Sequence, residues 1–480
     1  MNVTPAPGPP GERTGPGRAV VVGGSIAGML AAAALAGRAD EITVVERDTL
    51  PRHPQPRRGL PQAAHVHLFM PGGVRAMERL LPGVTERLEE RGARSLAMPT
   101  DMLVQSPQGW FPRWPQTHRI LLCSRDLLDH VVRRELARQH PHVTVLDGAE
   151  ALGPTGDARR VTGLRLRTAG GERTLGADLV VDACGRGSRA PAWLAGLGAA
   201  VPRETLLDTG LVYATRCYRA PGGTEPFPVV FVQADPRSGV PGRGAVLEPV
   251  EGGRWLVTLS GTRGGEPTAD PDAFVDFARS LRHPVVGDLI AGAEPLTGVV
   301  VTRTTANRRR YFERLSAWPD GFVVVGDAVA AYNPVYGHGM AVAAQGAAAL
   351  GDTVSAWGLH ARGTARRAQR AVARHASAAW DLAVGQDVFY PGATGGRPTV
   401  RERLAARFVR RLMYTSTGSG ETARAVNDVM TLEKPPASLL RPGVLAAALH
   451  GPRAPAPPGP PLTARERAAA RLTPGPRSAA

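Results

Sequence analysis

The segment over residues 18–48, RAVVVGGSIAGMLAAAALAGRADEITVVERD, constrains this chain most, because its order is strand, glycine turn, helix, strand and then an acidic residue. Residues 19–22 form a short apolar run suited to a buried parallel strand. Gly23, Ser25 and Gly28 hold the three positions of a G-x-G-x-x-G turn, with Ser in place of the middle glycine. A helix over 26–35 would aim its free amides and positive end at a pyrophosphate. Glu46 closes the second strand, where a carboxylate accepts from ribose hydroxyls. The Ser25 side chain stands where backbone must approach phosphate, and its hydroxyl can donate to the same oxygens. The unit predicts dinucleotide binding by Gly23, Gly24, Ser25, Ala27, Gly28, Glu46 and Arg47; a plain strand and helix of an α/β core is the alternative.

Residues 19–37 carry no charge and follow Arg13 and Arg18, so they imitate a signal peptide or short membrane helix. Gly23-Gly24 would break such a helix, Ala and Gly contribute little transfer energy, and a strand ending in Glu46 follows at once. A cytoplasmic protein without a membrane span is expected. The formal charge of +16 invites nucleic acid as a partner. Its basic residues are scattered, however, and nearly all are Arg, with Lys434 the only lysine. Arg308-Arg309-Arg310 and Arg366-Arg367 lack interleaved aromatics, so nucleic-acid binding is not expected. Cys123, Cys184 and Cys217 lie too far apart in sequence to indicate a disulfide framework or a zinc site.

Pro- and Gly-rich residues 1–17 and 451–480 are expected to be disordered. A helix over 125–140 has Ser124 as N-cap and Leu127, Leu128, Val131, Val132 and Leu136 on one side. Strands at 143–146, 161–168 and 179–181 follow as a meander joined to the nucleotide unit. From 206 the texture becomes short, alternating runs separated by Gly or Pro, which predicts antiparallel sheet, with Glu251-Gly252-Gly253 as one hairpin loop. Helices at 272–282, capped by Asp270, and at 285–291 should pack on it. Parallel-strand character returns at 321–325. The expected fold is therefore α/β. A discontinuous Rossmann-type nucleotide domain (18–205 and 319–361) carries an inserted antiparallel substrate domain (206–318) and a helical region (362–450).

Two further motifs carry chemistry. FVVVGDA over 322–328 is a buried strand ending in Gly-Asp, followed by Pro334, Gly337, Gly339 and an Ala-rich helix from Met340. Asp327 can accept from a ribityl hydroxyl there, and the glycines let helix-start amides approach a ring system. DLVVDACGRGSR over 178–189 places Asp182 at a strand end before a glycine turn bearing Arg189.

These three motifs, in this order, resemble the single-component FAD-dependent aromatic hydroxylase and epoxidase superfamily. The resemblance implies that Gly23, Ser25, Gly28 and Glu46 hold the ADP half of FAD, and that Asp327 with the loop from Pro334 to Met340 holds the ribityl and flavin ring. It assigns Asp182 and Arg189 to FAD and NAD(P)H together, and Arg125 to the flavin side. Departures are Ser25 for Gly and Ala183-Cys184 before Gly185. Within the superfamily the chain looks more like bacterial polyether epoxidases of the monensin and lasalocid type. The residues carrying this are LPQAAHVHLFMPGG (60–73), DTGLVYATRCYRAP (208–221), GRWLVTLSGTRGGEP (253–267) and GDAVAAYNPVYGHGM (326–340). The implied reaction uses NAD(P)H and O2 to epoxidise an alkene of a hydrophobic polyketide or polyene, free or carrier-bound, through a flavin hydroperoxide. Hydroxylation of an aromatic polyketide, and a non-redox protein holding FAD or a hydrophobic ligand, are the alternatives. No metal cluster, Ser-His-Asp set or carboxylate pair competes in the sequence, and His65, His67 and His338 are the polar candidates near the flavin.

Overall fold

The computed structural model describes residues 17–224 and 227–470. Apart from Gly17, the N-terminal stretch expected to be disordered lies outside the described residues, as do residues 471–480. Five parallel strands form the central sheet in the order Phe322–Val324, Leu179–Asp182, Arg18–Val22, Glu41–Val45, Val143–Leu146. Their register sets Val22 beside both Asp182 and Val45, and Asp182 beside Val324. The three motifs therefore leave the sheet along one edge, at the carboxyl ends of its strands, where open α/β sheets place ligands. Ala183 and Val325 extend the ladder, their amides donating to Val22 and Asp182 carbonyls at 2.8 and 2.9 Å.

Helix Ile26–Leu35 is buried on nearly all sides, which is why its sequence is apolar throughout. It packs against Gly339–Trp357, and a Cβ added at Gly351 would stand 2.8 Å from the Ala34 carbonyl oxygen. Small residues thus bring both helix starts to the same sheet edge. Helix Arg125–Gln139 begins as its sequence predicts, with Ser124 Oγ accepting from the Leu127 amide at 3.2 Å.

The second sheet has seven strands in the order Val300–Thr302, Val212–Arg219, Arg254–Gly261, Arg243–Val250, Val229–Val232, Met102–Ser106, Gly109–Trp110. One face packs Trp255, Tyr218, Leu247 and Leu259 against helices Phe274–Arg279 and Val285–Ile290. Gly252 and Gly253 turn the expected hairpin with positive φ, 73° and 63°.

Four expectations are corrected. The division at 206 cuts through this sheet, which recruits strands from 102–110; Val229–Val232 pairs in parallel with Met102–Ser106. The meander is instead Glu150–Gly156, Val161–Thr168 and Gly171–Gly176, while 143–146 and 179–182 join the parallel sheet. The helix expected over 272–282 covers only Phe274–Arg279, because Asp270 accepts from the Asp272 amide and closes a turn ahead of it. The tail is placed and packed as far as residue 470. Leu462 is buried in the second core, Thr463 and Glu466 form a capping box on Ala464–Ala469, and Glu466 pairs with Arg113 at 2.7 Å.

Candidate active site

At the first turn, a Cβ on Gly28 would lie 1.7 Å from the Gly23 carbonyl oxygen, so only glycine lets the helix start this close to the strand. The Gly24 amide donates to Glu46 Oε2 at 2.6 Å, and the Asp48 amide to Oε1 at 2.9 Å. Glu46 therefore braces the glycine loop. Arg57, which the sequence reading missed, closes the loop from outside. It donates to the Gly24 carbonyl at 3.0 Å and pairs with Glu46 at 3.3 Å and Asp129 at 3.4 Å. Ser25 accepts from Arg125 Nη2 at 2.9 Å. The departure from glycine thus anchors a buried guanidinium, whose pKa burial lowers while Asp129 opposes the shift. Arg47 points to solvent beside Asp48 at 4.0 Å.

The second and third motifs meet this turn. Gly326 has φ 61°, and a Cβ there would stand 3.0 Å from Ala27 Cβ, so the Gly-Asp turn is nested on the first helix. Asp327 makes no hydrogen bond among the described residues. Burial raises its pKa, against the pull of Arg186, Arg125 and Arg308. Gly337 adopts φ 67°, and the loop before it is clamped by Asp387. That buried carboxylate accepts from Asn307 and Asn333 side chains at 2.6 and 2.8 Å and from the Tyr336 hydroxyl at 2.6 Å. His338 donates through Nε2 to the Met430 carbonyl at 2.9 Å, leaving Nδ1 buried and unpartnered. Pro334 opens the short turn that leads to it, and Met340 is buried behind Gly339.

The inner face of the seven-stranded sheet lies over this edge. Tyr213, Thr215, Thr258, Ser260, Val246 and Glu248 share that face, since Tyr213 pairs with Ser260, Thr215 with Thr258 and Thr258 with Val246. The segment from His65 to His67 crosses it, each residue bonding a different strand. His65 Nδ1 meets Thr215 Oγ1 at 2.7 Å, the Val66 amide donates to Thr258 Oγ1 at 3.1 Å, and the His67 amide to Glu248 Oε2 at 3.1 Å. Burial lowers the pKa of His65 to about 4, and burial with the charge of Arg125 lowers that of His67 to about 3. Glu248 is fully buried and its pKa rises to about 8, so it is a neutral acid at pH 7.

Asp182 and Arg189, from the 178–189 motif, both make contacts within the chain. Asp182 is fully buried and accepts from Ser188 Oγ at 2.6 Å and the Cys184 amide at 2.9 Å, which shapes the glycine turn. Arg189 is exposed, donates to the Ala151 carbonyl and lies over the Trp193 ring. A separate set joins buried His118 and Asp428 to half-buried Glu433, with Lys434 reaching Asp428 at 2.6 Å and Arg75 reaching Glu433 at 2.8 Å.

The geometry suits FAD. Two glycine turns leave cradles that side chains would fill, Asp327 offers an unpaired acceptor, and buried Nε atoms of Arg57 and Arg125 lack partners. The family model described as "FAD binding domain" matches residues 18–379. The chain belongs to this family. This FAD-binding chain is 31% identical over 389 residues to Protein Rv3254 of Mycobacterium tuberculosis, a match spanning 78% of this chain and 81% of that protein. Among solved structures it is similar to the flavin-dependent brominase Bmp2, at TM-score 0.63 and 12% identity over 90% of this chain and 98% of that one. It is also similar to PqsL of Pseudomonas aeruginosa, described as a probable FAD-dependent monooxygenase, at TM-score 0.58 and 19% identity over 82% and 99%. The fold is that of flavin-dependent monooxygenases and halogenases. Among the described residues no helix is long and apolar enough to cross a membrane.

Proposed function

We propose that the protein is an FAD-dependent monooxygenase that uses NAD(P)H and O2 to epoxidise an alkene of a hydrophobic polyketide or polyene. Bound FAD, reduced by NAD(P)H, supplies the electrons that activate dioxygen. Gly23, Gly24, Ser25, Ala27, Gly28 and Glu46 hold its nucleotide half, and Asp327 with the Pro334–Met340 loop holds the flavin half. Arg125 stands between them, fixed by Ser25. The Asp387 clamp keeps the loop in one conformation, so the groups around the reacting atoms are ordered before substrate arrives.

The observation that carries epoxidation is the charge state of the inner sheet face. His65 and His67 are held neutral by burial, and Glu248 keeps its proton at pH 7. An imidazole whose pKa lies near 3 or 4 is a weak base and a protonated carboxyl is none, so that face is poorly equipped to take a proton from a phenol, as ring hydroxylation requires. An alkene has none to give. The supporting test is single-turnover oxygen transfer between about pH 5.5 and 7, where Glu248 stays mainly protonated. A flat profile with a three-membered ring, cyclic ether or diol as product supports epoxidation. A rate that follows phenol ionisation and gives a phenolic product moves the assignment to hydroxylation. Failure of purified protein to oxidise NAD(P)H with any candidate substrate leaves the non-redox reading.

A further inference from the structure

The polarity of the His65 hydrogen bond follows from counting protons. Thr258 Oγ1 accepts from the Val66 amide, and among the described residues its own hydrogen can go only to Thr215 Oγ1 at 2.7 Å. The Thr215 hydrogen then goes to His65 Nδ1 at 2.7 Å. Run in this direction, the chain leaves one polar atom unpaired, His65 Nε2; reversed, it leaves two, Nε2 and the buried Thr258 hydroxyl hydrogen, which is costlier. Nδ1 is therefore an acceptor, and the ring proton sits on Nε2. The His65 side chain is buried, at 4% exposure for the residue, and Nε2 has no partner.

We propose that His65 Nε2–H is a fixed, neutral hydrogen-bond donor for a carbonyl oxygen of an otherwise apolar substrate. The ring meets Tyr213 edge-on at 5.7 Å between centroids. Tyr213 feels the charge of Asp387, the same carboxylate that holds Tyr336 of the flavin-facing loop. The donor thus lies between the sheet face and that loop, where a substrate must lie to reach the flavin. A neutral donor flanked by hydroxyls and an aromatic edge suits a neutral acceptor, and a carbonyl is the strongest neutral acceptor an apolar polyketide carries. The inference rests on the proposed monooxygenase reading for placing substrate there, so its test uses tautomer and binding and no turnover.

The FAD-loaded protein, labelled with 15N-histidine, reports the tautomer directly, with the His65 signal assigned by its loss in His65→Phe. The Nε2–H form is expected in the native protein and in Thr215→Ser, with the Nδ1 signal shifted by loss of its hydrogen bond in Thr215→Val. The probes 1-tetralone and tetralin differ by one carbonyl oxygen, and calorimetry should give about tenfold tighter binding of the ketone, as one hydrogen bond to a buried donor provides. His65→Gln, which keeps a donor near the Nε2 position, should retain the preference and His65→Phe should abolish it. An Nδ1–H tautomer in the native protein, no preference for the ketone, or a preference unchanged in His65→Phe overturns the proposal. If the carbonyl preference fails in a protein that still oxygenates, the proposed function stands without it. If the preference holds in a protein that never consumes NAD(P)H, the function alone falls.

Discussion

Glu248→Gln should stabilise the protein by an amount that grows with pH. Glu248 is fully buried, accepts only the His67 amide at 3.1 Å, and has a second oxygen without a partner. Burial first, and then the charge of Glu251, raises its pKa from 4.5 to about 8. A carboxyl whose folded pKa lies above its unfolded value keeps a proton that the unfolded chain has released. Its contribution to stability is therefore full below about 4.5 and is lost as pH rises through about 8. Each pH unit in that window changes stability by about 1.4 kcal/mol, so the whole window is worth roughly 4 to 5 kcal/mol at most. Relaxation and water entry reduce this, and an advantage for the glutamine variant growing by about 2 to 3 kcal/mol between pH 5.5 and 9 is expected. Glutamine keeps an oxygen for the His67 amide and has no charge to expose. Urea unfolding of both proteins at pH 5.5, 7 and 9, loaded with FAD, measures it. Parallel stability curves for the two proteins would refute the assignment of a buried neutral acid at this position.

Gly28→Ala puts a Cβ 1.7 Å from the Gly23 carbonyl oxygen, and separating helix from strand should cost about 1 to 3 kcal/mol and abolish FAD loading; a fully yellow variant contradicts the fingerprint. Arg57→Met leaves Glu46 and Asp129 buried without their shared cation and should cost about 3 to 5 kcal/mol in urea unfolding, with Arg57→Lys recovering only part because three acceptors surround the guanidinium. Asp327→Ala should weaken FAD binding by about 1 to 3 kcal/mol, read by titration of the apoprotein, while leaving its melting temperature unchanged or higher, since burial disfavours that carboxylate when nothing bonds to it.

What the sequence made legible is what neighbouring residues decide. The strand, turn and helix over 18–48, the Ser124 cap and the Gly252-Gly253 hairpin each depend on a few consecutive positions, and each stands as expected. Partners distant in sequence left no such trace. Glu248 lies between apolar neighbours in its strand, and nothing nearby in sequence shows that the His67 amide, 181 residues away, meets it. Arg57 sits in a stretch between turn residues, and its three partners come from three separate elements. Ser25 could be noticed as a departure, yet its purpose required Arg125, 100 residues on. The strands over 102–110 were hidden because the sheet they join is otherwise built from residues beyond 206. The tail misled through its prolines, although the Thr463 to Glu466 capping spacing was visible.

The central claim is that this chain inserts one atom of dioxygen through bound FAD. The most direct measurement incubates the purified, FAD-loaded protein and NAD(P)H under labelled dioxygen with an extract of a strain lacking the protein, followed by mass spectrometry of what changes. The account predicts one new product carrying a single labelled oxygen, in a three-membered ring or in the cyclic ether or diol derived from it. Label arriving in that primary position from water instead, or no oxygen-bearing product while FAD stays bound, would contradict it.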